Sequence, residues 1–290
     1  MLYVLQNEEL MVMVRSRGAE LRSLKERSDE TEYLWHGDPV WWKYSSPILF
    51  PIVGKLKGGE YQVAGHSYAL PAHGLGRISE FRCVEHREAT IAFELTWNEE
   101  SLKSYPWRFR LGIGYELTGR AVKVKWQVSN ADTAAMYFSI GAHPAFRCPI
   151  VYGEKLTDCY LEFSEAEQAA NFRLTGDTLL ERGKEPSIVG KNIPLNDEFF
   201  RRGVRVYENL KSDAISIKSR KSSKSLTIAA PDFPYWGIWA PEAGGAPFIC
   251  LEPWYGHMDF VDGGGEFSRK EGNLKLDPGE EFHADYTISV

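Results

Sequence analysis

Apolar and polar residues alternate along several stretches of the chain with a period of two. In "RFRLGIGYEL" the apolar side chains recur at every second position from Phe109 to Leu117, and Arg110 and Glu116 lie on the other face. The same pattern recurs in "IAFELTW", "VKVKWQVS", "AISIKS" and "SLTIAA". A period of two is that of a β-strand with one buried and one solvated face.

Turn-forming stretches such as "KGGEY", "LTGRA" and "SNADT" separate these strands. Helical periodicity is scarce, and "SEAEQAANFRL", from Ser164 to Leu174, is the best helix candidate. The segment "KSDAISIKSRKSSKS" predicts a solvated hairpin. Many short antiparallel strands predict an all-β protein, a large antiparallel β-sandwich with little helix.

The chain of 290 residues contains 43% hydrophobic residues, enough for a large core, and no linker interrupts it. We therefore expect a single domain over residues 1–290. The less regular stretch 154–200 is interpreted as an excursion between strands. A net charge of -6 argues against nucleic acid or an anionic membrane as partner. Without a signal-peptide pattern or an apolar run near 18 residues, we expect a cytoplasmic protein.

Common cofactor and nucleophile motifs are absent from the sequence. The four cysteines form no CxxC pair, and HExxH, GxSxG and a P-loop do not occur. "GLGRIS" has only two glycines of a dinucleotide-binding motif and opens no predicted helix. We predict no metal and no cofactor.

His143 lies in "SIGAHPAF", on the smaller and more polar face of its predicted strand. Gly141 on that face leaves room for close approach, and Pro144 hinders further strand pairing. His143 is thus placed at a strand end beside an open face. Taken alone, an ordinary packed or surface histidine is the simpler explanation.

Glu252 in "FICLEPW" follows four apolar residues. A carboxylate in such a run is paired with a base or has a raised pKa, and either state suits a general base. A buried glutamate satisfied by the backbone or an arginine remains the alternative. The adjacent "WYGHMDF", with Trp254 before it, suggests an aromatic wall for a sugar.

Two further segments carry candidate ligand-binding residues. "PIVGKLKGGEYQVAGHSYALPAHGLGR" gathers Lys55, His73 and Arg77, which could clamp a polar ligand or belong to an ordinary surface loop. "PDFPYWGIWAP", which contains Trp236, is either core or binding wall.

Taken in order, "GAELRSL", "FPIVGKLKGGEY", "LPAHGLGR", "SIGAHPAF", "WGIWAP", "CLEPWYG" and "LDPGEEF" resemble the aldose 1-epimerases, the galactose mutarotase-like proteins. The nearer resemblance is to the shorter LacX-type branch, and it spans Gly18 to Phe282. It implies a large antiparallel β-sandwich that interconverts the α and β anomers of an aldose without a cofactor.

The resemblance also implies roles for three residues. Glu252 matches the general base that takes the proton of the anomeric hydroxyl. His143 matches the general acid that protonates the ring oxygen. His73 matches a second histidine that donates near the ring oxygen. We expect the acid and the base on opposite sides of the sugar ring.

The resemblance gives a less consistent picture of the substrate-binding residues. Lys55 stands where the family usually has an arginine, and a lysine cannot form a bidentate fork. Arg77 matches an arginine of the hexose-6-phosphate epimerase relatives. Asp197 is a candidate for the sugar-binding aspartate, and Trp236 and Trp254 are candidates for the sugar wall.

Two alternatives stay open. One is a hexose-6-phosphate 1-epimerase that uses cationic residues such as Arg77 and Lys55 for the phosphate. The other is a non-catalytic carbohydrate-binding protein on the same fold. In each case the expected partner is a small aldose, possibly phosphorylated, and the expected state is a monomer or a homodimer.

Overall fold

Antiparallel strands carry most of the chain in the computed structural model, which describes residues 1–201 and 203–290. Strand accounts for 51% of the residues and helix for 7%, so the all-β prediction is confirmed. The strands are β1 (Leu2–Gln6), β2 (Leu10–Arg15), β3 (Glu20–Glu26), β4 (Ile48–Leu49), β5 (Glu60–Val63), β6 (His66–Ala69), β7 (Arg82–His86), β8 (Thr90–Thr96), β9 (Phe109–Thr118), β10 (Ala121–Asn130), β11 (Met136–Phe138), β12 (Ile140–Ala142), β13 (Ala145–Arg147), β14 (Cys159–Leu174), β15 (Leu180–Pro194), β16 (Arg205–Glu208), β17 (Ala214–Ser219), β18 (Leu226–Ala229), β19 (Tyr235–Trp239), β20 (Phe248–Tyr255), β21 (Leu274–Leu276) and β22 (Glu281–Ser289). The helices are α1 (Glu99–Leu102) and α2 (Asp197–Phe200), and 3₁₀ turns cover Lys57–Gly59, Gly76–Ile78, Leu156–Asp158 and Phe267–Arg269.

Two large sheets organise these strands. The first has nine strands in the spatial order β15-β14-β17-β18-β22-β10-β9-β8-β7. The second has the order β16-β19-β20-β12-β4, and β13 also pairs with β20. Smaller sheets are formed by β1-β2-β3, by β11 with β21 and by β5 with β6.

The alternating sequence pattern explains which strand faces are buried. On β9 and β10, Ile113 lies opposite Trp126 in the antiparallel register, and both side chains are buried. These residues belong to the same hydrophobic cluster as Trp236 and Ile238 of the second sheet. Trp126 also contacts Phe233, in the segment that leads from β18 to β19, with ring centroids 5.6 Å apart. The two sheets thus share one core, as predicted for a β-sandwich.

The helix predicted at residues 164–174 is wrong, because this segment is the second half of the long strand β14. β14 pairs with β15 on one side and with β17 on the other. Within the strand Glu167 is buried and accepts a hydrogen bond from the N–H of Ser212 at 2.8 Å. Sheet pairing outweighs the helix propensity of the Ala- and Glu-rich composition.

The hairpin predicted in the lysine- and serine-rich segment is present, but it is not solvated throughout, because Ile215 and Ile217 are buried in the core. It consists of β17 and β18, in which Ile215 pairs with Ile228. Among the described residues, no helix has the length and apolar character needed to cross a bilayer.

Candidate active site

A buried carboxylate lies at the centre of the second sheet. Glu252 is on β20, between β19 and the short strands β12 and β13, and is 1% exposed. Neither carboxylate oxygen has a hydrogen-bond partner among the described residues. Burying a carboxylate without donors is unfavourable, so such a group in a native fold is a candidate for function.

A histidine reaches this carboxylate from the end of a neighbouring strand. His143 lies between β12 and β13, and its N–H donates to the carbonyl of Pro47 at 3.2 Å. Its ring stacks on Trp42 with centroids 4.6 Å apart. Its Nε2 lies 3.3 Å from Oε2 of Glu252, and its Nδ1 has no partner in the described part of the chain. We refer to His143 and Glu252 as the buried pair.

Burial shifts the pKa values of the pair in opposite directions. It raises the pKa of Glu252 well above its ordinary value, an effect that the neighbouring indole of Trp254 partly opposes. It lowers the pKa of His143 well below its ordinary value, and His73 and Arg77 lower it further. Both shifts favour a pair that carries one proton and no net charge.

His73 faces His143 from the loop between β6 and β7, with ring centroids 5.3 Å apart. It adopts a left-handed backbone conformation with φ of 65°. Its N–H donates to the carbonyl of Gly54 at 2.7 Å, and its Nδ1 accepts the N–H of Gly54 at 3.2 Å. Burial lowers the pKa of His73 to about 3. The neutral ring therefore carries its proton on Nε2 and is a hydrogen-bond donor there.

Trp254 lies across two glycines that cannot carry a side chain. A Cβ at Gly141 would lie 2.5 Å from the indole Cδ1, and one at Gly237 would lie 2.4 Å from the indole Cζ2. The indole N–H donates to the carbonyl of Ala142 at 3.1 Å. The space predicted beside Gly141 is thus filled by the Trp254 indole, which holds the strand end that precedes His143.

These groups converge on a cavity of about 190 Å³. Its lining combines aromatic side chains with a few polar groups, which is typical of small-molecule sites. The lining residues are Trp42, Gly54, Lys55, Ala72, His73, His143, Thr178, Val204, Trp239, Glu242, Glu252, Trp254 and Met258.

The family model described as aldose 1-epimerase matches residues 1–275 of this sequence. The chain belongs to the aldose 1-epimerase family. It is 35% identical over 297 residues to two LacX proteins of Lactococcus lactis, one chromosomal and one plasmid-encoded, covering 99% of this chain and 98% of each relative.

Solved structures of this family share the fold. A galactose mutarotase related enzyme from Lactobacillus acidophilus superimposes with a TM-score of 0.96 at 30% identity, covering 100% of this chain and 97% of that one. A galactose mutarotase-like protein from Lactobacillus casei gives a TM-score of 0.94 at 29% identity, covering 100% and 99%. The galactose mutarotase-like β-sandwich is therefore the fold of this family member.

Among the residues singled out from the sequence, the cavity lining contains Glu252, His143, His73, Lys55 and Trp254. Lys55 is the exposed member of this set, and its Nζ donates to the carbonyl of Asp177 at 3.4 Å. Sequence segments far apart in the chain are thus brought to one cavity of this epimerase-family fold.

Arg77 and Asp197 lie outside the cavity lining. Arg77 donates to the carbonyl of Ala72 at 2.7 Å, and its guanidinium lies 4.9 Å from the Tyr44 ring centroid. Asp197, exposed in the first turn of α2, accepts the N–H of Gly245 at 3.3 Å. In this structure Arg77 supports the loop that carries His73, and Asp197 supports a neighbouring turn.

Trp236 is also outside the lining, because its side chain packs into the core at 1% exposure. On β19 Gly237 pairs with the cavity residue Glu252, and Trp239, on the same strand face as Gly237, lines the cavity. Alternation then turns Trp236 to the opposite face.

Sequence reasoning missed Trp42, Trp239 and Glu242 as cavity residues. Trp239 had a detectable signal, since it lies two positions after Gly237 and shares its strand face. Trp42 and Glu242 belong to loops in which no periodic pattern indicates where a side chain points.

Proposed function

We propose that this protein is an aldose 1-epimerase that interconverts the α and β anomers of a sugar. The observation that carries the proposal is the buried pair, whose Nε2 and Oε2 atoms lie 3.3 Å apart at the cavity. Anomerisation requires removal of one proton from an oxygen and delivery of another. Family membership, which implies an isomerase acting on carbohydrates, agrees with this chemistry.

In the proposed step the proton of the buried pair passes from Glu252 to His143, and the Glu252 carboxylate then takes the proton of the hydroxyl on C1. The C1–O5 bond breaks as C1–O1 becomes a carbonyl, and the protonated His143 gives its proton to O5. Rotation about C1–C2 presents the other face of the aldehyde. The reverse transfers then close the ring as the opposite anomer and restore both side chains.

In this proposal the acid and the base lie next to each other, with Nε2 and Oε2 3.3 Å apart, whereas the sequence led us to expect them on opposite sides of the sugar ring. Adjacent groups are sufficient, because O1 and O5 are bonded to the same carbon. The short separation also allows the proton of the pair to pass between Glu252 and His143. The pair can therefore start either direction of the reaction from one protonation state.

The surroundings of the pair supply binding and orientation. His73 offers an N–H on Nε2 to the ring-oxygen region of the sugar. Trp42, Trp239 and Trp254 supply aromatic faces for the apolar C–H surface of a pyranose.

We further propose that the preferred substrate is not phosphorylated. Among the described residues that line the cavity, Lys55 is the only lysine or arginine. Arg77 lies outside the cavity lining, where it donates to the carbonyl of Ala72 and lies against the Tyr44 ring. Recognition of a phosphate generally uses several cationic donors.

Polarimetry tests the proposal directly. The purified protein should accelerate mutarotation of α-glucose or α-galactose above the buffer rate, and isothermal titration with the same sugars should show binding. Binding without acceleration on a panel of aldoses would support the non-catalytic carbohydrate-binding alternative instead. Acceleration confined to hexose 6-phosphates would contradict the substrate assignment but not the chemistry.

A further inference from the structure

A thiol lies directly beside the buried pair. Cys250 precedes Glu252 by two residues on β20, so both side chains leave the same face of the strand. It is 0% exposed and forms no disulfide. Its Sγ, a ring nitrogen of His143 and a carboxylate oxygen of Glu252 all lie within 4.8 Å of one another.

These three atoms are of the types that bind zinc. Thiolate, imidazole and carboxylate are all zinc ligands, and zinc–ligand bonds of about 2.0–2.3 Å place tetrahedral ligand atoms about 3.3–3.8 Å apart. The separation of His143 Nε2 and Glu252 Oε2 is already 3.3 Å. The three ligand atoms start no more than 4.8 Å apart, so a bound ion would have to draw them about 1 Å closer at most.

The cluster also has an open side. His143 and Glu252 line the cavity, and Cys250 pairs across the sheet with the cavity residue Trp239. A metal bound by three protein ligands would therefore have a fourth position for water or a sugar hydroxyl, as in zinc sites that accept an exchangeable ligand. The sequence shows no zinc motif because β12 and β20 bring together residues about a hundred positions apart.

We propose that Cys250, His143 and Glu252 form a binding site for a zinc-class divalent cation that inhibits the protein. The inhibitory part rests on the proposed epimerase function. A cation bound there occupies both members of the buried pair, so neither can exchange a proton with a sugar. Zinc binding itself follows from the three ligands whether or not the protein is an epimerase.

Cobalt(II) is the probe, because it substitutes for zinc and its thiolate complexes absorb in the near ultraviolet. Titration of the metal-free wild-type protein with Co²⁺ should give a saturable thiolate-to-cobalt band that Zn²⁺ displaces. Absence of the band at saturating Co²⁺ would overturn the proposal without requiring any variant.

Variants assign the band to the cluster. Cys250→Ser should abolish the band. His143→Ala should weaken Co²⁺ binding at least about tenfold, because removing even a residue that only hydrogen-bonds to a metal ligand lowers metal affinity by about that factor. Cys83→Ser, which removes the partly exposed thiol, is the matched control and should keep the band. Loss of the band in Cys83→Ser and its retention in Cys250→Ser would refute the site.

Thermal unfolding gives a second measurement that does not require activity. A cation that binds only the folded state raises the melting temperature, so Zn²⁺ should stabilise the wild type more than Cys250→Ser. If the protein accelerates mutarotation, Zn²⁺ should slow the wild type at concentrations that leave Cys250→Ser unaffected relative to its own metal-free rate. A zinc-dependent band and melting shift without epimerase activity would uphold the metal site and reject only the proposed function.

Discussion

Nε2 of His143 and Oε2 of Glu252 lie 3.3 Å apart, and both side chains are almost completely buried. This contact joins the end of β12 to the middle of β20, and β12 and β20 are hydrogen-bonded neighbours in the sheet. The sheet register thus fixes the distance between the proposed acid and base. An acid and a base fixed in this way need no large side-chain movement to share the work on one acetal carbon.

Glu252→Gln tests the base. The amide keeps the shape of the side chain but cannot accept the proton of the C1 hydroxyl. We expect the acceleration of mutarotation to fall by about 10²–10⁴-fold, the usual contribution of a general acid or base, while sugar binding persists. Polarimetry measures the first quantity and isothermal titration the second.

The matched control is Glu116→Gln on β9, a glutamate that pairs with Lys125 outside the cavity. It should retain the wild-type rate. A Glu252→Gln rate within a few-fold of wild type, with the variant folded, would exclude Glu252 as the base.

The sequence predicts the individual residues of this site better than the contact between them. The apolar run before Glu252 and the proline after His143 mark both side chains locally, and these signals are visible in the sequence. The 3.3 Å contact between them is not, because it depends on the pairing of β12 with β20. The same limit applies to Trp239, which only the register of β19 against β20 turns toward the cavity.

The wrongly predicted helix has a related cause. The composition of residues 164–174 favours a helix locally, but β15 pairs with the backbone of this segment from Glu167 to Leu174. Pairing with the following strand outweighs the helix propensity of the composition, which is the local signal in the sequence. The alternating strands β9 and β10 were predictable because each carries its burial pattern within itself.

Gly237→Ala should displace Trp254, which lines the cavity. The added Cβ would fall 2.4 Å from the Trp254 indole, which is buried and has little room to shift. We expect a loss of about 1–3 kcal/mol in the free energy of unfolding, measured with urea, and a reduced epimerase rate. Gly112→Ala on β9 is the control, since its Cβ would make only an ordinary contact at 3.6 Å with Gln127. Equal stability of the two variants would contradict the close packing of Trp254 against Gly237.

Lys55→Ala should weaken sugar binding and leave the chemical step in place. Lys55 lines the cavity and donates to the carbonyl of Asp177, and among the described residues no hydrogen bond or ion pair joins it to His143 or Glu252. Removing a charged donor to a ligand costs about 1.5–3 kcal/mol, so KM should rise roughly tenfold or more with kcat nearly unchanged. Lys57→Ala, outside the lining, is the control. A fall in kcat with constant KM would instead give Lys55 a part in catalysis.

His257 should make stability depend on pH in mildly acidic solution. Its side chain is 2% exposed, and its Nδ1 lies 2.6 Å from the carbonyl oxygen of Met258. Burial, followed by the charge of Lys270, lowers the pKa of His257 to about 4, although the hydrogen bond with the Met258 carbonyl, and then Glu271 and Glu208, act in the opposite direction. The unfolded chain therefore takes up a proton at a higher pH than the folded protein.

The sign of the effect follows from this lowered pKa. Stability from the neutral His257 ring is complete above the unfolded value of about 6.5 and is lost as the pH falls toward 4. At pH 5 the loss is on the order of 2 kcal/mol. His257→Asn, which keeps a donor near Met258 but does not titrate, should show a smaller drop in melting temperature between pH 7 and pH 5 than the wild type. The exposed His66→Asn control should drop as far as the wild type, and an equal drop in His257→Asn would show that this ring does not cause the acid sensitivity.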